Sequence, residues 1–229
     1  MTNSLQNYAS VRFWVVSAWM PEQLALRQDF GFDLSQSGTS ESVFLAGAVG
    51  FLCTGVGSVC GAAQVARVLA LTQASDGHPE AVFFAATAGA YSSALGLGTA
   101  HVCSEAVWTD GDLQSKSTYL PSAHQGIVRS QAALSTSGEQ GVVCVSTPGI
   151  TTDESLAQSL AHWGELENLE LYGVAEAARM AGVAWGAVLG VSNRVGPNSH
   201  SEWKEHHLEA SLAAQKKLRE LYLRECIKS

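Results

Sequence analysis

The sequence predicts an α/β fold in which a sheet is covered by helices on both faces. Hydrophobic residues make up 46% of the chain and charged ones only 15%, a balance that suits strands apolar on both sides. Apolar runs of strand length alternate with Ala-rich stretches of helical length. Small, glycine-bearing segments follow several of those runs, and the chain holds 22 glycines in all. With 229 residues and no repeat, low-complexity tract or linker, residues 1–229 are expected to form a single domain with one core.

Arg12 to Ala18 reads as a short buried strand, and Pro21 with the residues after it as a helix carrying proline in its first turn. Glu22 therefore stands at a strand-to-helix turn, where a carboxylate also complements the helix dipole. Val43 to Ala48 and Gly50 to Cys53 form a hairpin-like pair feeding Thr54-Gly55-Val56-Gly57, and Val59 to Leu71 is helical. A strand, a glycine turn and a helix start together present free backbone N–H groups. The turn lacks the lysine of a P-loop and the spacing of a dinucleotide fingerprint, so the NTP and NAD readings are rejected.

Ala81 to Ala86 is a further buried strand that ends in Thr87-Ala88-Gly89-Ala90, small residues that let a flat ligand approach the backbone. Gly96 to Ser104 is the next strand. Glu105 to Gly126, containing Trp108, Asp110, Asp112, Tyr119 and His124, shows no period and is expected to be a long loop facing a partner or covering a site. Its Asp and His residues are expected to be solvated rather than catalytic. Gly141 to Ser146 is a strand, and after Ile150 the run Thr151-Thr152-Asp153-Glu154 opens a helix through Ala161. Ser201 to Cys226 carries Leu208, Leu212, Leu218, Leu221 and Tyr222 at near-helical spacing, and is expected to lay that face across the sheet.

Between these lies Asn168 to Asn193, a helical run, a Gly182 stop, and an apolar strand from Val183 to Val191 that delivers Ser192 and Asn193 at its carboxyl end. In open α/β sheets ligands bind at that end. Glu170 opens the helix and Asn193 closes the strand, positions that a local cap and a turn residue also occupy.

The net formal charge of -8 and the absence of Lys/Arg clusters argue against nucleic acid and anionic membranes as partners. Five cysteines with no paired spacing indicate neither a metal site nor a disulfide framework, and no cofactor is expected. No secretory signal and no membrane-length apolar run is visible, so the cytoplasm is the expected location.

Glu22, Thr54 to Gly57, Thr87 to Gly89, Glu170 and Ser192-Asn193, in this order, resemble the purine nucleoside phosphorylase and nucleosidase superfamily. The similarity is to its branch of methylthioadenosine/S-adenosylhomocysteine nucleosidases and futalosine hydrolases, and it covers nearly the whole chain. It implies a three-layer fold with a central mixed sheet flanked by helices, and a homodimer or larger assembly. In the family a Met-Glu-Gly-Ala segment carries a glutamate for the ribose hydroxyls, and a Ser-Asp or Ser-Asn pair follows near the end of the next strand. Leu169-Glu170 and Ser192-Asn193 fit that relation without a gap, while a shifted register would put Tyr172 at the glutamate position. Leu189 replaces a common arginine, and Asn198 or His200 stands where another is usual.

The resemblance implies that Glu22, Glu170 and Asn193 are catalytic, and that Thr87, Ala88, Gly89, Leu169, Ser192 and Ile150 bind substrate. Glu22 would deprotonate water, Glu170 would bind the 2′ and 3′ hydroxyls, and Asn193 would stabilise the departing base. Where adenine-specific relatives have aspartate, the amide of Asn193 suits a 6-oxopurine. Ser192-Asn193-Arg194-Val195-Gly196 with Trp203 downstream is similar to the futalosine hydrolase pattern. Phosphorolysis needs cationic donors for phosphate, and no arginine stands near Thr54 or Thr87. The expected activity is hydrolysis of a small purine nucleoside, releasing hypoxanthine. A methylthioadenosine/S-adenosylhomocysteine nucleosidase, a purine nucleoside phosphorylase and a non-catalytic nucleoside-binding protein remain alternatives.

Overall fold

Among the residues that the computed structural model describes, 8–33, 42–114, 116–119, 126–130 and 141–223, the apolar runs pair into one mixed sheet of nine strands. The strands are β1 (Phe13–Ser17), β2 (Val43–Ala46), β3 (Val49–Cys53), β4 (Ala81–Ala90), β5 (Ala100–Trp108), β6 (Ile127–Arg129), β7 (Val142–Ser146), β8 (Leu166–Glu167) and β9 (Ala184–Arg194). The helices are α1 (Leu24–Asp29), α2 (Ser58–Ala74), α3 (Gly111–Gln114), α4 (Glu154–Leu160), α5 (Leu171–Met180) and α6 (Ser199–Leu218).

β1 lies between β3 and the first half of β4, parallel to both, and β2 folds back on β3 as the expected hairpin. β4 pairs along its whole length with β9. From there β9 pairs with β5, β5 with β7, β7 with β8, and β8 returns to the last two residues of β4. These strands close into a ring, which apolar runs alone do not disclose.

Alternate residues of the strands feed two cores, as a doubly covered sheet requires. Trp14, Val82 and Phe84 pack with Val65 and Leu69 of α2 and Leu171 and Val174 of α5. Val15, Phe83 and Ala85 pack on the other face with Leu26 of α1 and Ala214 and Leu218 of α6. No described helix is long and apolar enough to cross a membrane.

Three expectations need correction. Thr87 to Ala90 continue β4 rather than following it, because β9 pairs with them throughout. The expected long loop begins late: Glu105 to Trp108 belong to β5, held between β6 and β7. After it Asp110 accepts from the Leu113 N–H at 2.8 Å, while His124 lies outside the described residues. Leu208 and Leu212 do not face the sheet; they are 57% and 56% exposed. The buried face of α6 is Ala210, Ser211, Ala214, Gln215 and Leu218, small at the close crossing where a side chain on Gly190 would collide with the Ala210 carbonyl.

Candidate active site

The site begins at a gap in the edge of β4. β1 pairs with β4 only as far as Phe84, and β8 takes over that edge at Gly89. Within a strand the N–H and C=O of one residue point to the same side, so Thr87 presents both groups to the gap. Buried backbone groups need partners, and two distant side chains supply them. Glu22 Oε1 accepts from the Thr87 N–H at 2.8 Å and from its hydroxyl at 3.0 Å. The Asn168 side-chain amide donates to the Thr87 carbonyl at 3.0 Å.

Glu22 ends a single 3-10 turn, Met20–Glu22, and is only 3% exposed. Its Oε2 accepts from the Ala18 N–H at 3.2 Å. α6 grips this turn from behind: Ser211 Oγ and Gln215 Nε2 donate to the Pro21 carbonyl at 3.1 and 3.0 Å. Gln215 Oε1 accepts from the Ala25 N–H at 2.8 Å. Burial pushes the Glu22 carboxyl up to about 7, against the hydrogen bond from the Thr87 N–H, and the nearby Glu170 adds to the rise.

Glu170 stands at the start of α5, yet the helix is capped by Asn168, whose Oδ1 accepts from the N–H groups of Glu170 and Leu171 at 3.0 and 2.9 Å. The Glu170 carboxylate reaches across to the Gly57 N–H at 2.8 Å. Beside it the Ser58 hydroxyl donates to the Leu169 carbonyl at 2.6 Å. This approach of α2 to α5 requires Gly173, because a side chain there would collide with the Ser58 carbonyl. Burial raises the Glu170 carboxyl, and the Gly57 N–H opposes the rise. Tyr172 does not border the cleft; its ring lies 5.9 Å from that of Trp108.

Asn193 faces the other side of β4. Ser192 Oγ donates to its Oδ1 at 2.8 Å, and its Nδ2 donates to the Arg194 carbonyl at 3.0 Å. With one N–H given to the Arg194 carbonyl, the amide keeps the other for a ligand, and Oδ1 keeps one lone pair beside the Ser192 hydroxyl, which also reaches the Ala88 carbonyl at 3.2 Å. The amide lies over Gly89, where a Cβ would stand 2.8 Å from Nδ2 and 2.9 Å from a Val195 methyl.

These groups enclose a cleft of about 290 Å³. Glu22, Thr87, Ala88, Gly89, Ile150, Leu169, Glu170, Ser192 and Asn193, the residues named from the sequence, all border it. Trp19, Glu167, Asn168, His200 and Trp203 complete much of the wall. Trp203 stacks on His207 with ring centroids 4.5 Å apart, and its indole N–H points at the Thr87 hydroxyl at 3.4 Å. His200, not Asn198, borders the cleft, and Leu189 is buried in β9 away from it. Among the described residues no lysine or arginine lines the cleft, and no group of three or more His, Cys, Asp or Glu is placed to hold a metal.

Sequence reasoning missed Glu167, Asn168, Ser211 and Gln215. The first two adjoin Leu169-Glu170 directly, so their neighbourhood was the available signal. Ser211 and Gln215 stand four apart on one helix face, a polar pair that a search for leucines passes over.

The chain belongs to the phosphorylase superfamily, whose family model matches residues 36–228. Its fold is that of solved bacterial nucleosidases. It is similar to the futalosine hydrolase of Helicobacter pylori strain 26695, with a TM-score of 0.77 at 13% identity over 93% of this chain and 97% of that one. The 5′-methylthioadenosine/S-adenosylhomocysteine nucleosidase of Helicobacter pylori, solved with butyl-thio-DADMe-Immucillin-A, gives a TM-score of 0.76 at 14% identity over 92% and 97% of the two chains. The same class of nucleosidase from Colwellia psychrerythraea 34H, solved with adenine, gives 0.74 at 19% identity over 93% and 95%. No curated protein sequence matches the chain.

Proposed function

We propose that this protein is an N-glycosyl hydrolase of purine nucleosides, futalosine hydrolase-like, with a preference for 6-oxopurines and hypoxanthine as product. The observation that carries the reading is Glu22: a buried carboxyl raised to about 7, in a cleft that no lysine or arginine lines among the described residues. A base is most effective when its pKa lies near the working pH. A phosphate co-substrate would need cationic donors, which this wall does not offer.

In this mechanism the C1′–N9 bond breaks and its electron pair leaves with the base. Positive charge develops on the ribose ring, and Glu170, which holds the 2′ and 3′ hydroxyls, supports it electrostatically. The Asn193 N–H stabilises charge on the departing purine. Glu22 takes a proton from water as the water oxygen bonds to C1′ and returns it to solvent, while the departing base, which leaves with the bonding pair, takes one proton from solvent. The products are a free sugar and a free purine. The protein is proposed to act as a homodimer or larger assembly in the cytoplasm, without a cofactor.

The test is base release from inosine, futalosine and methylthioadenosine. Faster release of hypoxanthine than of adenine supports the reading. Preferential release of adenine transfers the protein to the 6-amino branch, and binding without release makes it a nucleoside-binding protein.

A further inference from the structure

Behind the cleft, α6 buries a side-chain amide that the mechanism does not use. Gln215 is 2% exposed, on the face that the helix turns to the sheet. A buried amide costs free energy unless its donors and acceptor are paired, and here both ends are. Oε1 accepts from the Ala25 N–H at 2.8 Å and the Leu26 N–H at 3.3 Å, while Nε2 donates to the Pro21 carbonyl at 3.0 Å. Nε2 also reaches the Ser211 hydroxyl at 3.3 Å, and that hydroxyl donates to the same Pro21 carbonyl at 3.1 Å.

The partners of this amide bracket Glu22. The Pro21 carbonyl belongs to the peptide unit that joins Pro21 to Glu22. Ala25 and Leu26 lie in the first turn of α1, whose N–H groups have no acceptor within the helix and no side-chain cap at Gln23. Gln215 supplies from a distant helix what a cap supplies locally. The turn Met20–Glu22 has no side-chain cap either, and one 3-10 turn does little to support itself. α6 is a firm anchor for it, because the helix crosses β9 so closely that a side chain on Gly190 would collide with the Ala210 carbonyl. The strand that ends in Ser192 and Asn193 and the turn that carries Glu22 are therefore both referred to α6.

We infer that Gln215 is a positioning residue: its amide fixes the Pro21–Glu22 peptide and the start of α1, and so holds the Glu22 carboxylate against Thr87 and Ala18. This rests on the hydrolase reading, in which Glu22 is the base. A general base acts only within hydrogen-bond reach of the water it deprotonates, and a displacement of about 1 Å can cost roughly 100-fold in rate. Methionine at position 215 nearly keeps the length and volume of the side chain and removes both halves of the grip.

The experiment places Gln215→Met in the full-length wild type and in Glu22→Gln. It measures kcat, KM and melting temperature, with whichever of inosine, futalosine and methylthioadenosine the wild type cleaves fastest. In the wild type the substitution is expected to lower kcat by about 10- to 100-fold with KM nearly unchanged. Groups that act through one another are not additive, so in Glu22→Gln it should change the residual rate by less than about twofold. The drop in melting temperature should be the same in both backgrounds. A merely structural role would lower the rate by the same factor in both, and that result overturns the inference. Ser211→Ala removes one of the two donors to Pro21 and keeps the inference testable if Gln215→Met folds poorly: kcat should fall severalfold, again only where Glu22 is present, and an unchanged kcat counts against the inference. Turnover that depends on Glu22 but not on Gln215 sinks this inference alone; turnover that does not depend on Glu22 sinks the assignment of the base with it.

Discussion

Thr87 donates two hydrogen bonds to one oxygen of Glu22, from its backbone N–H at 2.8 Å and its hydroxyl at 3.0 Å. The first is open to Glu22 because β1 stops short of Thr87 and β8 has not yet begun. The gap in the sheet thus aims a buried carboxylate, and the proposed chemistry starts from that geometry.

Replacing Glu22 by Gln removes the base while keeping its size. Loss of a positioned general base costs roughly 100- to 10,000-fold in rate. Steady-state kinetics of Glu22→Gln are expected to show that fall in kcat with KM nearly unchanged. In the wild type the base must be ionised, so kcat/KM should rise with pH through about 7 and then level.

The same carboxyl links stability to pH. The folded protein holds the Glu22 proton up to about pH 7, whereas the ordinary value is 4.5. Between these values the unfolded chain binds fewer protons than the folded one, so stability falls as pH rises through that window. The loss amounts to roughly 3 kcal/mol at most. Glu22→Gln cannot ionise and is expected to lose less stability than the wild type on going from about pH 5 to about pH 8 in chemical denaturation. Identical pH dependence in both proteins would contradict the burial argument.

Asn168 joins the two proposed catalytic glutamates, since one amide caps the helix start at Glu170 and pairs the carbonyl of Thr87. Asn168→Asp keeps an acceptor for the cap, removes the donor to Thr87, and adds negative charge between Glu22 and Glu170. The pH midpoint of kcat/KM should move upward, because a like charge disfavours ionised Glu22. A variant that lost only stability would show lower melting temperature with the midpoint unmoved.

Gly89 and Gly173 separate recognition from folding. At position 89 a methyl group would meet the Asn193 amide at 2.8 Å, so Gly89→Ala is expected to raise KM about tenfold or more by displacing that amide, with little change in melting temperature. At position 173 the obstruction is the Ser58 backbone carbonyl. Gly173→Ala should cost about 1–3 kcal/mol or more by forcing α2 and α5 apart, read as a clear drop in melting temperature.

The legible parts of the sequence were those set by local pattern. Glu22, Glu170 and Asn193 each follow or open an apolar element, and their order along the chain carried the resemblance. Pairing between distant strands was not legible. The ring closed through β8 depends on a two-residue strand, Leu166–Glu167, too short to give a period, so Glu167 had no signal as a residue bordering the cleft. α6 was oriented wrongly because its leucines suggested one face while a close crossing over Gly190 demanded small residues on another. The cap position was assigned to Glu170, whereas Asn168 caps the helix, and its bond to Thr87 spans 81 positions of sequence, which no local pattern reports.

The most direct test of the hydrolase assignment is the sugar product formed from a 6-oxopurine nucleoside in buffer with and without phosphate. We predict free sugar equimolar with hypoxanthine in both, at the same rate, and no sugar 1-phosphate. Base release that requires phosphate and yields the sugar 1-phosphate would contradict the account.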